Sequence, residues 1–365
     1  MFMRKIKYLV ISAILLCILA GCGKKTDKEE YVYNVAVHEE TGEEFITADN
    51  TITKLDDGFS AVRFDGDYGF EGFLNQGGAK SDAEVIRYLA SKLASDAGDL
   101  SFGGQAFGCS TISASNKEGG YYFGRNFDWD SCDAMIVISY PESGYASFST
   151  VNLDFINQGA GSMAKLLSDE TIIIAALYAP LDGMNEKGLC VAVNMIQDLG
   201  TISQSSSKPD ITTTTAVRML LNKAATTDEA VELLKQYDFH ASMDYMVHLA
   251  VADSTGKSVV IEYINNEMKV IETPLVTNFY LAEGEKNGIG TEQSHTRFGI
   301  LEDALKENPV MDKSHVKDAL NSVSKGNFGE FESTEWSVIF DQSAMEAAYY
   351  HRENYNKEFS FRLEK

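Results

Sequence analysis

Cys109-Ser110-Thr111-Ile112-Ser113-Ala114-Ser115 and Gly120-Tyr121-Tyr122-Phe123-Gly124-Arg125-Asn126-Phe127 flank Glu118-Gly119, and the second run continues into Asp128-Trp129. Turn chemistry between two β-prone runs predicts a β-hairpin. A hairpin returns Arg125 and Asp128 to the neighbourhood of Cys109. A thiol beside a cation and a carboxylate has the surroundings of a nucleophile.

The residue before Cys109 is Gly108, at the end of a Gly-rich, loop-like stretch from Asp99. If the Gly108–Cys109 bond were cut, Cys109 would carry its own α-amine, with an unperturbed pKa of about 7.7–8.0. That amine can take the thiol proton, as it does for an N-terminal threonine. Asp128 is placed to hold the amine, and the Arg125 cation favours thiolate over thiol. Gly108 leaves the scissile carbonyl sterically open.

Upstream, Tyr31–Phe73 alternates short apolar runs with turns such as Asp56-Asp57-Gly58, which predicts strands. Ser81-Asp82-Ala83-Glu84 has the pattern of a capping box ahead of Val85, Ile86, Leu89 and Leu93 at helical spacing. Residues 31–108 are therefore expected to fold. Downstream, Met135–Tyr140, Tyr145–Val151, Gly188–Met195, Tyr245–Ala252, Lys257–Tyr263, Met268–Glu272 and Trp336–Leu363 read as strands. Helical spacing appears at Val217, Leu220, Leu221 and Ala224, and again behind a cap near Thr227 with Val231 and Leu234. Two later helical faces carry Phe298, Leu301 and Leu305, and Val316, Leu320 and Val323. Strands and helix pairs in separate runs indicate an α+β layered fold.

The beginning of the chain carries a basic trio, Arg4, Lys5 and Lys7, then an apolar stretch from Tyr8 to Leu19. That stretch is short for a membrane span, which needs about 20 apolar residues, and reads as a signal peptide over 1–21. It ends Leu19-Ala20-Gly21-Cys22, which resembles the lipobox of bacterial lipoproteins. The resemblance implies a diacylated Cys22, a tether over 22–30, and an extracytoplasmic protein anchored to the bacterial cell membrane. Of five cysteines, Cys109, Cys132 and Cys190 would remain in the folded part, so at least one thiol stays free in a monomer. Cys132 and Cys190 are expected in the core. A formal net charge of −23 over 365 residues opposes contact with phosphate backbones, so no nucleic-acid partner is expected.

Common catalytic signatures are absent. There is no His-Glu-x-x-His, Walker loop or Gly-x-Ser-x-Gly, and the six histidines lack metal-ligand spacing, so neither a metal nor a cofactor is implied. Gly159-Ala160-Gly161-Ser162-Met163-Ala164 matches a dinucleotide fingerprint in form but lacks the strand before and helix after.

Cys109 with Gly124-Arg125-Asn126-Phe127-Asp128 resembles the linear amide C–N hydrolases of the N-terminal nucleophile superfamily, which include choloylglycine (bile salt) hydrolases, penicillin V acylases and the N-acylethanolamine acid amidase and acid ceramidase branch. Gly183-Met184-Asn185-Glu186-Lys187-Gly188-Leu189 followed by Asn194, Thr277-Asn278, and Ser294 to Phe298 with Arg297 extend the likeness over residues 100 to 365. The resemblance implies a four-layer αββα sandwich and cleavage into an α chain ending at Gly108 and a β chain from Cys109 to 365. It implies hydrolysis of a small-molecule N-acyl amide through a thioester on Cys109, with Asn194 and Asn278 meeting the oxyanion and Arg125 and Arg297 supporting local charge. Oligomers are common in the family, so a homo-oligomer is a further expectation. Many bile salt hydrolases expose their cysteine by losing only an initiator methionine. The long segment before Cys109 is closer to the amidase/ceramidase branch, and Asn194 stands where penicillin V acylases tend to carry tyrosine. Two rival readings remain open on sequence: an acyltransferase on the same fold, and a surface binding lipoprotein without turnover.

Overall fold

The computed structural model describes residues 31–38, 41–93, 108–160, 167–327 and 333–364, with the side chains of 157–160 excepted. The signal-like segment, Cys22, the tether and residues 99–107 lie outside these. The first elements are β1 (Asn34–Val37), β2 (Glu44–Thr47), β3 (Thr53–Asp56), β4 (Phe59–Asp65), α1 (Phe70–Asn75) and α2 (Asp82–Leu93). Then come β5 (Gly108–Ser115), β6 (Tyr121–Trp129), β7 (Ala134–Tyr140), β8 (Ser147–Asn152), α3 (Leu153–Ala160), α4 (Asp169–Leu177), β9 (Asp182–Asn185) and β10 (Cys190–Met195). The middle holds β11 (Asp210–Thr212), α5 (Thr213–Lys223), α6 (Thr227–Leu234), β12 (Asp238–His240), β13 (Val247–Ala252), β14 (Ser258–Ile264), β15 (Glu267–Glu272) and β16 (Leu275–Val276). The last are α7 (Glu292–Glu307), α8 (Lys313–Ser322), β17 (Ser333–Asp341), β18 (Glu346–His351) and β19 (Phe359–Arg362).

Two large sheets stack face to face. One runs β15-β14-β13-β10-β9-β8-β7-β4-β3, the other β16-β5-β6-β17-β18-β19. Every pairing in them is antiparallel except β4 with β7, which are parallel from Phe59↔Ala134 to Asp65↔Tyr140. Strand alternation sorts side chains into three apolar layers. Phe127, Trp336, Ile136 and Ala250 meet between the sheets. Leu177, Leu220, Leu221 and Leu249 join the nine-stranded sheet to α4, α5 and their neighbours. Ile112, Ile339, Leu301 and Leu320 join the six-stranded sheet to α7 and α8. The result is the αββα sandwich expected from the sequence.

Several boundaries differ from the sequence reading. Gly108 does not end a loop; it opens β5 and pairs with Asp128. Phe70, Phe73 and Leu74, inside a stretch read as strands, are spaced for a helix and are buried as α1. The cap of α6 is Thr226, whose hydroxyl accepts from the Glu229 N–H at 3.2 Å. Gly159 and Ala160 close α3, and the rest of that fingerprint-like stretch, 161–164, lies outside the described residues.

Candidate active site

In the β5–β6 hairpin Cys109 lies opposite Phe127 and Thr111 opposite Arg125. Directly opposed residues share a face. Cys109 and Arg125 therefore point into the layer between the sheets, whereas Ser110 and Asp128 point towards α7 and α8. The thiol is 2% exposed.

Arg125 crosses the inter-sheet layer. Its Nη2 lies 3.8 Å from Cys109 Sγ, and its Nη1 donates to the Val193 carbonyl at 2.8 Å and to Asn194 Oδ1 at 3.1 Å. Its Nε is 2.8 Å from Asp182 Oδ2, and both side chains are fully buried. Asp182 Oδ2 also accepts from Trp336 Nε1 at 2.9 Å. Asn194 Nδ2 is a buried donor with no hydrogen-bond partner among the described residues.

Asn278, just past β16, sits over the backbone of Cys109. Its Oδ1 accepts from the Cys109 N–H at 2.7 Å and from Arg297 Nη2 at 2.7 Å, while its Nδ2 donates to the Met195 carbonyl at 2.7 Å. The Asn278 N–H donates to Ser294 Oγ at 2.6 Å, so the Ser294–Phe298 segment of α7 holds the asparagine as well as supplying Arg297. Arg297 is buried; its Nη1 donates to the Cys109 carbonyl at 2.7 Å and to Ser110 Oγ at 2.6 Å, and stands 3.7 Å from Asp128 Oδ2. Asp128 Oδ1 accepts from Thr334 Oγ1 at 2.7 Å. Cys109, Arg125, Asp128, Asn194, Asn278 and Arg297 thus converge. Here Asn278 presents an acceptor to the Cys109 nitrogen, and the donor left free for an oxyanion belongs to Asn194.

Burial pushes the Cys109 thiol up; Arg125 opposes this most, Asp128 adds to it, and Arg297 opposes it. The net direction in the uncut chain is upward, although Arg125 pulls toward the thiolate as expected. Beside the thiol lies a narrow cleft of about 40 Å³ walled by Phe127, Trp129, Phe155, Leu181, Met195 and Val247. No charged side chain lines it, so it suits an apolar group.

The Gly183–Leu189 stretch acts as a scaffold. Asn185 Oδ1 accepts from the N–H groups of Lys187 and Leu189 at 3.0 and 3.1 Å, and Gly188 takes a φ of 79°. This turn joins β9 to β10 and so sets Asp182 and Asn194 around Arg125. Asp182, one residue before the stretch quoted from sequence, was not singled out by sequence reasoning. Nor was the buried pair His248 and Glu262: His248 Nδ1 lies 3.1 Å from Glu262 Oε1, and its Nε2 lies 2.8 Å from the Thr277 carbonyl. Glu262 also accepts from the N–H groups of Leu281 and Ala282 at 2.8 and 3.0 Å, so the pair grips the Asn278 loop on both sides. Each is a polar residue in or at the edge of a buried strand, and that interruption is the signal that could have found it. Cys132 and Cys190 are buried and unbridged, as expected of core cysteines.

Residues 109–278 match the family model for linear amide C–N hydrolases, choloylglycine hydrolase family. A penicillin V acylase of Pectobacterium atrosepticum is 30% identical over 99 residues, which is 24% of this chain and 26% of that protein. The match thus spans about a quarter of that relative's length. Two crystal structures of the conjugated bile acid hydrolase from Clostridium perfringens, one a mutant and one a variant, align with a TM-score of 0.53. Their identities are 19% and 18%, and each alignment covers 70% of this chain and 92% of the other. At such identity the likeness is one of fold.

Proposed function

Taking residues 109–278 as those of a linear amide C–N hydrolase of the choloylglycine hydrolase family, we propose that this chain is the precursor of an amidase whose nucleophile is Cys109, freed by cleavage of the Gly108–Cys109 bond. The single observation that carries this reading is the grip on that peptide bond. Its nitrogen donates to Asn278, the next carbonyl is bound by Arg297, and the thiol lies under Arg125 at the mouth of an apolar cleft.

In the cleavage step Sγ attacks the Gly108 carbonyl carbon and the C–N bond breaks. The thiol proton ends on the departing nitrogen, which becomes the α-amine of Cys109. Water then hydrolyses the thioester to a Gly108 carboxylate and the free thiol. In turnover the α-amine takes the thiol proton, Sγ attacks the amide carbonyl of an N-acyl conjugate, and Asn194 Nδ2 meets the oxyanion. The ammonium returns its proton to the leaving amine, and the amine then activates water against the thioester. Asn278 Oδ1 and Asp128 hold the α-amine, Arg297 fixes the Cys109 carbonyl, and Arg125 steadies the thiolate. The apolar cleft receives the first carbons of the acyl half beside the carbonyl.

The segment before the cut would stay in place, because β4 is built into the nine-stranded sheet. Diacylation of Cys22 would hold the enzyme at the outer face of the cell membrane. The test is intact mass and N-terminal sequencing of wild type beside Cys109→Ala. A fragment beginning at Cys109 in wild type alone, and release of free amine from N-acyl substrates by that form, are the expected results. An uncut wild type would defeat the reading.

A further inference from the structure

The face of β5 opposite the thiol holds a group that turnover does not use. Lys325, in a single helical turn at Lys325–Asn327 after α8, is the one buried lysine among the described residues. Its N–H donates to Thr334 Oγ1 at 2.9 Å, the hydroxyl that donates to Asp128, and its Nζ donates to Gln293 Oε1 of α7. The lysine is pressed against Gly108. A Cβ added there would stand 2.3 Å from Lys325 Cε, 3.0 Å from its Nζ and 2.7 Å from Asp128 Oδ2. The residue before the cut is thus flanked by a cation and a carboxylate, two groups that are costly to bury without a task, and any side chain there would have to push the end of the lysine aside.

Resting on the cleavage reading above, we propose that Lys325 is a catalytic residue of that cleavage: its cation stabilises the negative charge that develops at Gly108 when Cys109 attacks, and its stem lies against the glycine there. As Sγ bonds to the Gly108 carbon, the carbonyl π pair moves to oxygen; collapse expels the Cys109 nitrogen, and hydrolysis leaves a carboxylate at Gly108. Both the intermediate and the product place negative charge on the residue that Lys325 touches. An external amide arrives from the other side. Its carbonyl enters by the apolar cleft and is met by Asn194 and Arg125, away from Lys325. One thiol thereby serves two reactions with charge stabilisers on opposite faces of the same strand.

The test follows the appearance of the fragment beginning at Cys109 by intact mass over time in the full chain, for wild type, Lys325→Met, Lys325→Arg and Gly108→Ala. Lys325→Met should slow cleavage about 100-fold, while turnover per Cys109 α-amine formed falls far less. Lys325→Arg should restore most of the rate, and Gly108→Ala should slow cleavage by displacing the lysine stem. Thermal unfolding midpoints check folding, and if the methionine variant does not fold, Lys325→Arg against Gly108→Ala carries the same comparison. A Lys325→Met chain that cuts at the wild-type rate overturns this proposal alone. A wild type that never cuts overturns the cleavage reading and this proposal together. Equal losses of cleavage and turnover would also overturn it, because they mark a merely structural lysine.

Discussion

Cys109 and Cys190 are both unbridged, both buried, and both face the layer between the sheets. Burial raises both thiols. Around Cys190 the further influences are carboxylates, Asp182, Asp341 and Asp253, and all push the thiol further up. Around Cys109 the next influence is Arg125, which pulls the other way, followed by an upward push from Asp128 and a smaller downward pull from Arg297. Asp182 belongs to both regions: it adds to the field that keeps Cys190 inert and it pairs with the arginine that serves Cys109. If Cys109 is the nucleophile proposed above, what marks it out from Cys190 is its cations, its cleft and the hold on its backbone. Burial does not distinguish it.

The largest expected effect tests that contrast directly. Cys109→Ala should abolish both cleavage and amide turnover, whereas Cys190→Ala should leave both near wild type; loss of activity in the second variant would break the comparison. Next comes the shared carboxylate. Asp182→Asn leaves Arg125 buried without its counter-charge and should cost about 3–5 kcal/mol of stability, read by denaturant unfolding, together with a changed pH profile for alkylation of Cys109. An unchanged profile would mean that Asp182 matters to packing only. Asn194→Ala removes the unpaired donor and should lower kcat by about 100-fold to 1000-fold with little change in KM. A rise in KM alone would move Asn194 from the oxyanion to the substrate's ground state.

The smallest effect applies the same balance of burial and charge to a base. His351 stacks on Phe59 of β4, with ring centroids 4.7 Å apart, and burial with Arg352 pulls its pKa from 6.5 down to about 4. Between those values the unfolded chain binds a proton that the folded chain refuses. Stability should therefore fall as pH drops from about 6.5 to about 4, by about 2 kcal/mol after allowance for partial exposure. Unfolding of wild type and His351→Phe across that window should diverge from pH 7 downward; parallel curves would remove His351 from the account.

The parts of the site that follow from one hairpin were legible in the sequence. Glu118-Gly119 set the turn, and with the turn came the nearness of Arg125 and Asp128 to Cys109. Asn194, Asn278 and Arg297 were legible only through resemblance, since nothing local in a strand end or a helix start says what it will face. Asp182 and the His248–Glu262 pair stayed hidden because their meaning lies in contacts between elements distant in sequence. Their one local trace is a polar side chain in or beside an apolar run. Lys325 left no trace at all: it follows a helix end among polar residues, and only the docking of that turn on Gly108 gives it significance. In the fold, antiparallel neighbours were readable from alternation and turns. The parallel join of β4 to β7 was not, because the partners, from Phe59↔Ala134 to Asp65↔Tyr140, are far apart in sequence and no short-range signal specifies such a pairing.

That join fixes the inheritance of a cut molecule. Two polypeptides would arise from one translation product in strict one-to-one ratio, already docked, with no encounter step for dilution to slow. Neither could be made whole alone: the short chain would carry β4 without its partner, and the long chain would show an open edge at β7. Subunit composition would be decided at the ribosome, and to part, the two chains would have to peel seven residue pairs of parallel strand and pull Phe70, Phe73 and Tyr88 off Tyr178 as well.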